Sequence, residues 1–455
     1  MTILIQNGQV INPATGMNEV ADVLVENGVV SKIEKGIKEK ADRKINAKGC
    51  FVMPGFIDMH VHLRDPGFEE KETIETGCRA AAHGGYTTIL AMPNTKPVVD
   101  NPDVVNYVHN KAKTVGLVNV LQVGAVTKNQ EGKELADIEG MVKAGIPAIS
   151  EDGKSVMNAQ LYREAMEKAA KLGIVVLAHC EDKNLVNGGV MNEDEHAREL
   201  GLKGITNSVE DIIVARDIML SNDTGAKLHL CHCSTEDSVM MVDLAKQKNV
   251  KVTAEVCPHH FTLTSDDIVE GDTNYKMNPP LRSEADRQAT IAAVADGTVD
   301  LLATDHAPHT MEEKELGFLD APNGIIGLEC AYGICHKVLV DGGFISDERL
   351  IELMSTGPAE LMGHDKTDIT AVLDDYADAV PGDDDTKRVL DLGRVPESDQ
   401  VDLVVLNTGE EWTVDPEKFH SSARNTPFGG WQVTGRPLAT IIGSKLAFSR
   451  IDKED

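Results

Sequence analysis

Phe56-Ile57-Asp58-Met59-His60-Val61-His62 is the stretch on which the reading of this 455-residue chain turns. An apolar, strand-like run ends in two histidines two places apart, and on a strand residues i and i+2 project to one side. His60 and His62 can therefore reach a single cation, with Asp58 expected on the same face. One such pair is weak alone, since 15 histidines in a chain of this length give roughly half a pair by chance. The weight lies in the set. Asp152, His179, His232 and Asp305 also follow apolar runs, namely Ala148-Ile149-Ser150, Val175-Val176-Leu177-Ala178, Leu228-His229-Leu230-Cys231 and Leu301-Leu302-Ala303-Thr304. Imidazoles and carboxylates delivered by several strand ends predict one buried metal centre.

Outward from this stretch, strand-like runs recur at Phe56–His62, Thr87–Met92, Asn119–Val123, Ala148–Ser150, Val175–His179, Lys227–His232, Lys251–Val256 and Leu301–Thr304, with helix-length segments between them. Eight alternations predict an α/β fold, a (β/α)8 TIM barrel over residues 53–363. A doubly wound sheet also alternates, but it has fewer strands and no reason to carry ligand-type residues at so many strand ends. In barrels the chemistry sits at the C-terminal ends of the strands, where all of these residues fall. An Asp-Gly such as Asp152-Gly153 is by itself more often a turn, yet two carboxylate oxygens at a strand end could bridge two ions. In Cys231-His232-Cys233, strand alternation would set both thiols opposite His232, which argues against a thiolate site. Asp305, at the end of the eighth run, can touch a metal and still exchange a proton with attacking water. His306 and His309 follow too closely to be incidental.

The flanks differ. Residues 1–52 hold short strands with turns at Asn7-Gly8 and Asn27-Gly28, the latter at hairpin distance from Val29–Ile33. Residues 401–455 hold similar runs, Val401–Leu406, Trp412–Val414 and Leu438–Ile442, so the two termini are expected to form one small β-sandwich domain. Between them, 364–400 is acidic, with Asp383-Asp384-Asp385 and little apolar periodicity, and reads as a solvated insertion or linker.

Lys and Arg number 44 against 74 Asp and Glu, a net charge of −30, which argues against nucleic acid or an anionic membrane as partner. No apolar run approaches the ~18 residues that span a bilayer. Eight cysteines without a disulfide-like framework, and no cationic-apolar signal at Met1-Thr2-Ile3-Leu4-Ile5, predict a reducing cytoplasm.

Asp58-Met59-His60-Val61-His62-Leu63-Arg64-Asp65-Pro66-Gly67, Met92-Pro93-Asn94-Thr95, Lys276-Met277-Asn278-Pro279-Pro280-Leu281-Arg282 and Ala303-Thr304-Asp305-His306-Ala307-Pro308-His309 resemble the dihydroorotases of the class I bacterial type, in the amidohydrolase superfamily. The resemblance runs from residue 1 to about 363 and resumes near 400. It implies two zinc ions, one held by His60, His62 and Asp305 and the other by His179 and His232, with Asp152 bridging. It also implies that Asp305 is the catalytic acid–base and that Arg64, Asn94, Asn278 and His309 bind a small-molecule substrate. A guanidinium forks onto a carboxylate and side-chain amides add donors, so the chemistry agrees. A homodimer is expected, and association with an aspartate carbamoyltransferase is conceivable for such a chain. Departures are the acidic insertion, Asn323 where relatives carry an aromatic, and Ser355-Thr356-Gly357-Pro358-Ala359; they bear on loop packing more than on chemistry.

The implied activity is the reversible, zinc-dependent cyclisation of N-carbamoyl-L-aspartate to dihydroorotate. Another cyclic amidohydrolase, a hydantoinase or allantoinase, would share fold and metals, but its substrates lack the ring carboxylate that would need Arg64. A non-catalytic partner of aspartate carbamoyltransferase would be expected to have lost ligands, and the set is intact. Thr310 to Ile326, rich in charge and Gly, is the expected lid.

Overall fold

The computed structural model describes residues 1–13, 15–362 and 402–451. Its strands in chain order are β1 (Ile3–Asn12), β2 (Met17–Glu26), β3 (Val29–Glu34), β4 (Arg43–Asn46), β5 (Cys50–Pro54), β6 (Phe56–Val61), β7 (Tyr86–Ala91), β8 (Asn119–Gln122), β9 (Gly124–Ala125), β10 (Ala148–Ser150), β11 (Val175–Ala178), the short β12 (Met191–Asn192) and β13 (Gly204–Ile205), β14 (Lys227–Leu230), β15 (Val252–Val256), β16 (Leu301–Leu302), β17 (Asp402–Thr413), β18 (Gln432–Ile442) and β19 (Lys445–Ser449). The acidic stretch 364–400 lies outside the described residues.

The two termini meet in one eight-stranded sheet of order β19-β18-β17-β5-β1-β2-β3, with β4 paired to β1. The seam between them is β17 antiparallel to β5, with Leu403 opposite Pro54 and Val405 opposite Val52. Ile3, Ile5, Val23, Val25, Val52, Leu403, Val405 and Ile441 bury a shared apolar core. Asn27 and Gly28 both take positive φ, 53° and 88°, which is what a two-residue turn matched to the twist of β2 and β3 demands. Asn7-Gly8 does not end a strand. β1 runs through it with a register shift between Ile5 and Gly8, and a Cβ on Gly8 would lie 2.4 Å from Val52 Cγ2, so this glycine marks a bulge pressed against β5.

The middle of the chain forms two parallel sheets, β6-β7-β8 and β16-β15-β14-β11-β10-β9. Their strands are near-continuous apolar runs because both faces are covered. Ile57, Met59, Leu90, Met92, Val123, Leu177, Cys231 and Leu301 pack together in one cluster, while Phe56, Val61, Ile89, Val176, Leu228 and Val256 pack against the flanking helices. Those helices are sharply bounded. Thr73, Asn101 and Asn158 cap the N-termini of Ile74–Gly84, Pro102–Val115 and Ala159–Leu172, and left-handed Gly85, Gly116 and Gly173 end them, so each helix is turned back toward the next strand. Among the described residues no helix is long and apolar enough to cross a membrane.

Three sequence expectations change here. Asp58 does not share a face with His60 and His62. Its carboxylate accepts from His60 N at 3.0 Å and from Thr304 Oγ1 at 2.6 Å, tying β6 to the segment after β16, and the register shift between Asp58 and Val61 breaks the two-residue alternation. Burial pushes its carboxyl up to about 6 against those donors. Strands also stop short of the ligand-type residues: β14 ends at Leu230 and β16 at Leu302, because His232 and Asp305 adopt left-handed φ of 36° and 47°, which no strand accommodates. The alternation expected of Cys231-His232-Cys233 is lost for the same reason. Cys231 turns into the inner cluster near His60, and Cys233 joins the outer one.

Candidate metal centre

β6 supplies His60, the residue just past its end is His62, and the turns after β10, β11, β14 and β16 supply Asp152, His179, His232 and Asp305, so five strand ends converge on one point. All six residues are buried. Among the described residues five groups have potential ligand atoms within 4.8 Å of one another, and three draw only on the six: His60 with His62 and Asp152, His60 with His232 and Asp305, and Asp152 with His179 and His232; the others are His60 with Cys231 and Glu255, and Cys257 with His259 and His260. Asp152, His60 and His232 each belong to two of these three. His60 Nε2 lies 3.1 Å from Asp152 Oδ1 and 3.5 Å from Asp305 Oδ1. His62 Nε2 lies 3.0 Å from Asp305 Oδ1 and 3.5 Å from Asp152 Oδ2. On the other side His179 Nδ1 meets His232 Nε2 at 2.9 Å and Asp152 Oδ1 at 3.7 Å.

The electrostatics suit a cation. Burial alone would raise the carboxyls of Asp152 and Asp305, but the facing imidazoles outweigh it and hold both well below the usual range. Burial also works against charge on His60, yet Asp305 and Asp152 lift it well above an ordinary imidazole. His232 is pushed down to about 3 by burial and by His179 and His60, so its ring is neutral and has a lone pair to give. Of the ring nitrogens turned toward the cluster, His60 Nε2 is buried with only the oxygens of Asp152 and Asp305 near it and no well-formed hydrogen bond, a costly arrangement in a dry interior. A divalent ion drawn to imidazole nitrogen and carboxylate oxygen fits this donor set.

Around the six lies a layer that fixes them. His60 Nδ1 faces Glu255 Oε1 at 3.0 Å, and His62 Nδ1 faces Asn94 Oδ1 at 2.9 Å. Asn94 Nδ2 donates to Asp152 Oδ2 at 3.0 Å, and Asn278 Nδ2 to Glu181 Oε1 at 3.1 Å. Arg64, left-handed at φ 61°, donates through Nε to Pro308 O at 3.1 Å and brings Nη2 to 3.2 Å from His309 Nε2. His309 itself is pushed down to about 2 by burial and by Arg64 and Lys71. Its backbone N donates to Asn425 Oδ1, contributed by the C-terminal segment. His306 turns away from the centre, with Nε2 3.3 Å from Glu72 Oε2.

Sequence reading passed over Glu255, Glu181, Lys71, Glu313 and Asn425. Glu255 had a signal, a charge inside the apolar run Val252–Val256; Asn425 had none. The segment 310–326 is anchored, with Lys276 Nζ donating to Leu319 O and Ala321 O and Lys314 Nζ to Pro322 O and Gly324 O. A cavity of about 950 Å³, lined by Lys227, Val250, Asp300, Arg349, Glu352 and Glu360, opens at the opposite ends of the strands. It holds none of the ligand-type residues.

Fold and cluster together define an α/β chain of the amidohydrolase type with residues that could hold a metal ion, and its relatives narrow this. A family model described as dihydro-orotase-like matches residues 49–238. A dihydroorotase of Geobacter metallireducens is 43% identical over 451 residues, covering 99% of this chain and 100% of that protein, and one of Acetivibrio thermocellus is 42% identical with 98% of each covered. Among solved structures, the L-hydantoinase (dihydropyrimidinase) of Arthrobacter aurescens superposes with a TM-score of 0.79 at 25% identity, covering 99% of this chain and 96% of that one. A D-hydantoinase at 23% identity and TM-score 0.80 shares the fold. The chain belongs to the dihydroorotase family.

Proposed function

We propose that the chain catalyses the reversible cyclisation of N-carbamoyl-L-aspartate to (S)-dihydroorotate and water in pyrimidine biosynthesis. The observation that carries this reading is 43% identity along the whole chain to proteins named dihydroorotase, joined to an intact six-residue cluster.

Two zinc ions suit the cluster, with His60, His62 and Asp305 on one, His179 and His232 on the other, and Asp152, whose carboxylate lies near His60, His62 and His179, between them. Bound zinc would bring the pKa of water toward neutrality and polarise the ring carbonyl. Asp305 is the proton carrier in this reading: it takes the proton released as water attacks the carbonyl and hands it to the departing ring nitrogen, and ring closure reverses the transfer. Its carboxyl, held in the charged form, is ready to accept. Arg64 grips the substrate carboxylate beside His309, and Asn94 and Asn278 complete the pocket with amide donors.

Two contacts support closure of the parallel sheets into one (β/α)8 barrel. Val123 N, between β8 and β9, donates to Ala91 O at 3.0 Å, and His62 N donates to His306 O at 2.9 Å where Val61 bridges His306. On this reading residues 53–363 form the barrel and 1–52 with 401–455 a β-sandwich domain around their shared core. Eight buried free thiols suit a reducing cytoplasm. A homodimer, and association with an aspartate carbamoyltransferase, are the oligomeric states we propose to test by light scattering alone and with that enzyme added.

The fold neighbours named hydantoinase favour a second reading, a cyclic amidohydrolase for uncharged rings. One assay separates the two: dihydroorotate and hydantoin turnover followed side by side on metal-analysed protein. Dihydroorotate turnover that depends on about two zinc ions per chain is expected; preference for hydantoin would overturn the assignment, and full activity with one ion would overturn the binuclear centre.

A further inference from the structure

Glu255 sits in the middle of β15, in Val252-Thr253-Ala254-Glu255-Val256, and is fully buried. A carboxylate in such a run is costly unless each oxygen is satisfied, and here both are. Oε1 lies 3.0 Å from His60 Nδ1 and accepts from His232 N at 3.2 Å. Oε2 lies 2.9 Å from His229 Nε2, and His229 Nδ1 lies 2.9 Å from Thr253 Oγ1. A charged carboxylate can only accept, so His60 must carry a proton on Nδ1 and His229 on Nε2, with Thr253 Oγ1 beside His229 Nδ1. With Nδ1 committed to Glu255, Nε2 is the nitrogen that His60 turns toward Asp152 and Asp305.

The same oxygen reaches the other half of the centre. His232 holds a left-handed backbone, φ 36°, which a β-carbon disfavours, and its N–H is held by Glu255 Oε1. One carboxylate oxygen therefore orients the ring of a residue on one side of the cluster and the backbone of a residue on the other. His229, opposite Thr253 in the register of β14 and β15, keeps that carboxylate from rotating.

We infer that Glu255 is a positioning residue that couples the two halves of the metal centre, so that both ions are retained or lost together through it, with His229 as its brace. Partners of this kind around metal-ligating histidines are worth 10–100-fold in metal affinity. The inference rests on the metal-centre reading above.

The test uses full-length enzyme equilibrated against a series of zinc buffers, with bound zinc counted by elemental analysis and unfolding followed on loaded and stripped samples. In Glu255→Gln both zinc equivalents should require roughly 10–100-fold more free zinc than in the parent. At saturating zinc kcat should fall while KM for dihydroorotate stays near the parent value, because Glu255 does not face the substrate. His229→Leu, which leaves Oε2 without its donor, should shift both equivalents in the same direction by a smaller factor, and it carries the test if Glu255→Gln does not fold. Loss of only one equivalent, or unchanged zinc retention with equal destabilisation of loaded and stripped protein, would overturn the coupling role. A parent that binds no zinc at all would instead overturn the metal-centre reading itself.

Discussion

Asn94 holds Asp152: its Nδ2 donates to Asp152 Oδ2 at 3.0 Å, while its own Oδ1 lies 2.9 Å from His62 Nδ1. One side-chain amide thus spans a carboxylate shared by two ligand groups and the histidine just past β6. Its geometry is that of a brace, alongside whatever it offers the substrate. Two such braces, Asn94 on one side and Glu255 on the other, fix which nitrogen His62 and His60 each present to the centre.

Replacing Asn94 by Ala removes both hydrogen bonds and is expected to lower zinc affinity by ~10–100-fold as well as raising KM for dihydroorotate. Zinc counted per chain after dialysis against graded chelator checks this. Parent-like retention with only KM altered would confine Asn94 to the substrate.

Asp305→Asn keeps an oxygen that can face a cation but cannot shuttle a proton. Turnover is expected to drop by ~10²–10⁴-fold with zinc content largely preserved, measured by kcat and elemental analysis on the same sample. Activity within a few-fold of the parent would move the proton transfer elsewhere, with His309 the next candidate on position.

Asp217 gives a pH prediction away from the site. Burial pushes its carboxyl up to about 6 despite Arg216, whose Nε lies 2.7 Å away. A carboxyl raised in the folded state favours folding fully below its unfolded value near 4, and that contribution disappears as pH rises through about 6. Above pH 6 the ionised group therefore costs roughly 3 kcal/mol, a figure already net of the Arg216 pairing. Asp217→Asn should match the parent near pH 4 and gain stability relative to it at pH 7.5, read by urea denaturation at both values. An equal difference at the two pH values would locate the penalty in another group.

The sequence made the cluster legible because each ligand-type residue closes an apolar run, and it made the Asn27-Gly28 hairpin legible because only certain residues accept two successive positive φ values. Face assignments near the centre were not legible. They assumed that strands continue through Asp58, His232 and Asp305, whereas the register shift in β6 and two left-handed residues break the alternation there. Contacts across the chain were also out of reach: nothing in the local pattern around Asn425 says that it holds the backbone of His309, 116 residues away. The pairing of ligands into two zinc sites came from resemblance rather than from spacing.

On the proposed function, Arg64 is the residue that would tell a charged ring from an uncharged one. It lies two residues beyond His62 in a left-handed conformation that sends its side chain across to the segment after β16, where Nε donates to Pro308 O at 3.1 Å and Nη2 stops 3.2 Å from His309 Nε2. That end of the guanidinium faces no carboxylate oxygen of the chain within these contacts, so a substrate carboxylate can take the place. A hydrogen bond to a charged partner contributes ~1.5–3 kcal/mol, and Arg64→Met should weaken kcat/KM for dihydroorotate by at least about an order of magnitude. Zinc content should not change, since Arg64 bonds to none of the six cluster residues. Dihydrouracil, the same ring without the carboxylate, should be turned over nearly as well by the variant as by the parent. Equal losses on both rings would make Arg64 a structural residue holding Pro308 and His309, and the preference for dihydroorotate would then have to come from Asn94 and Asn278.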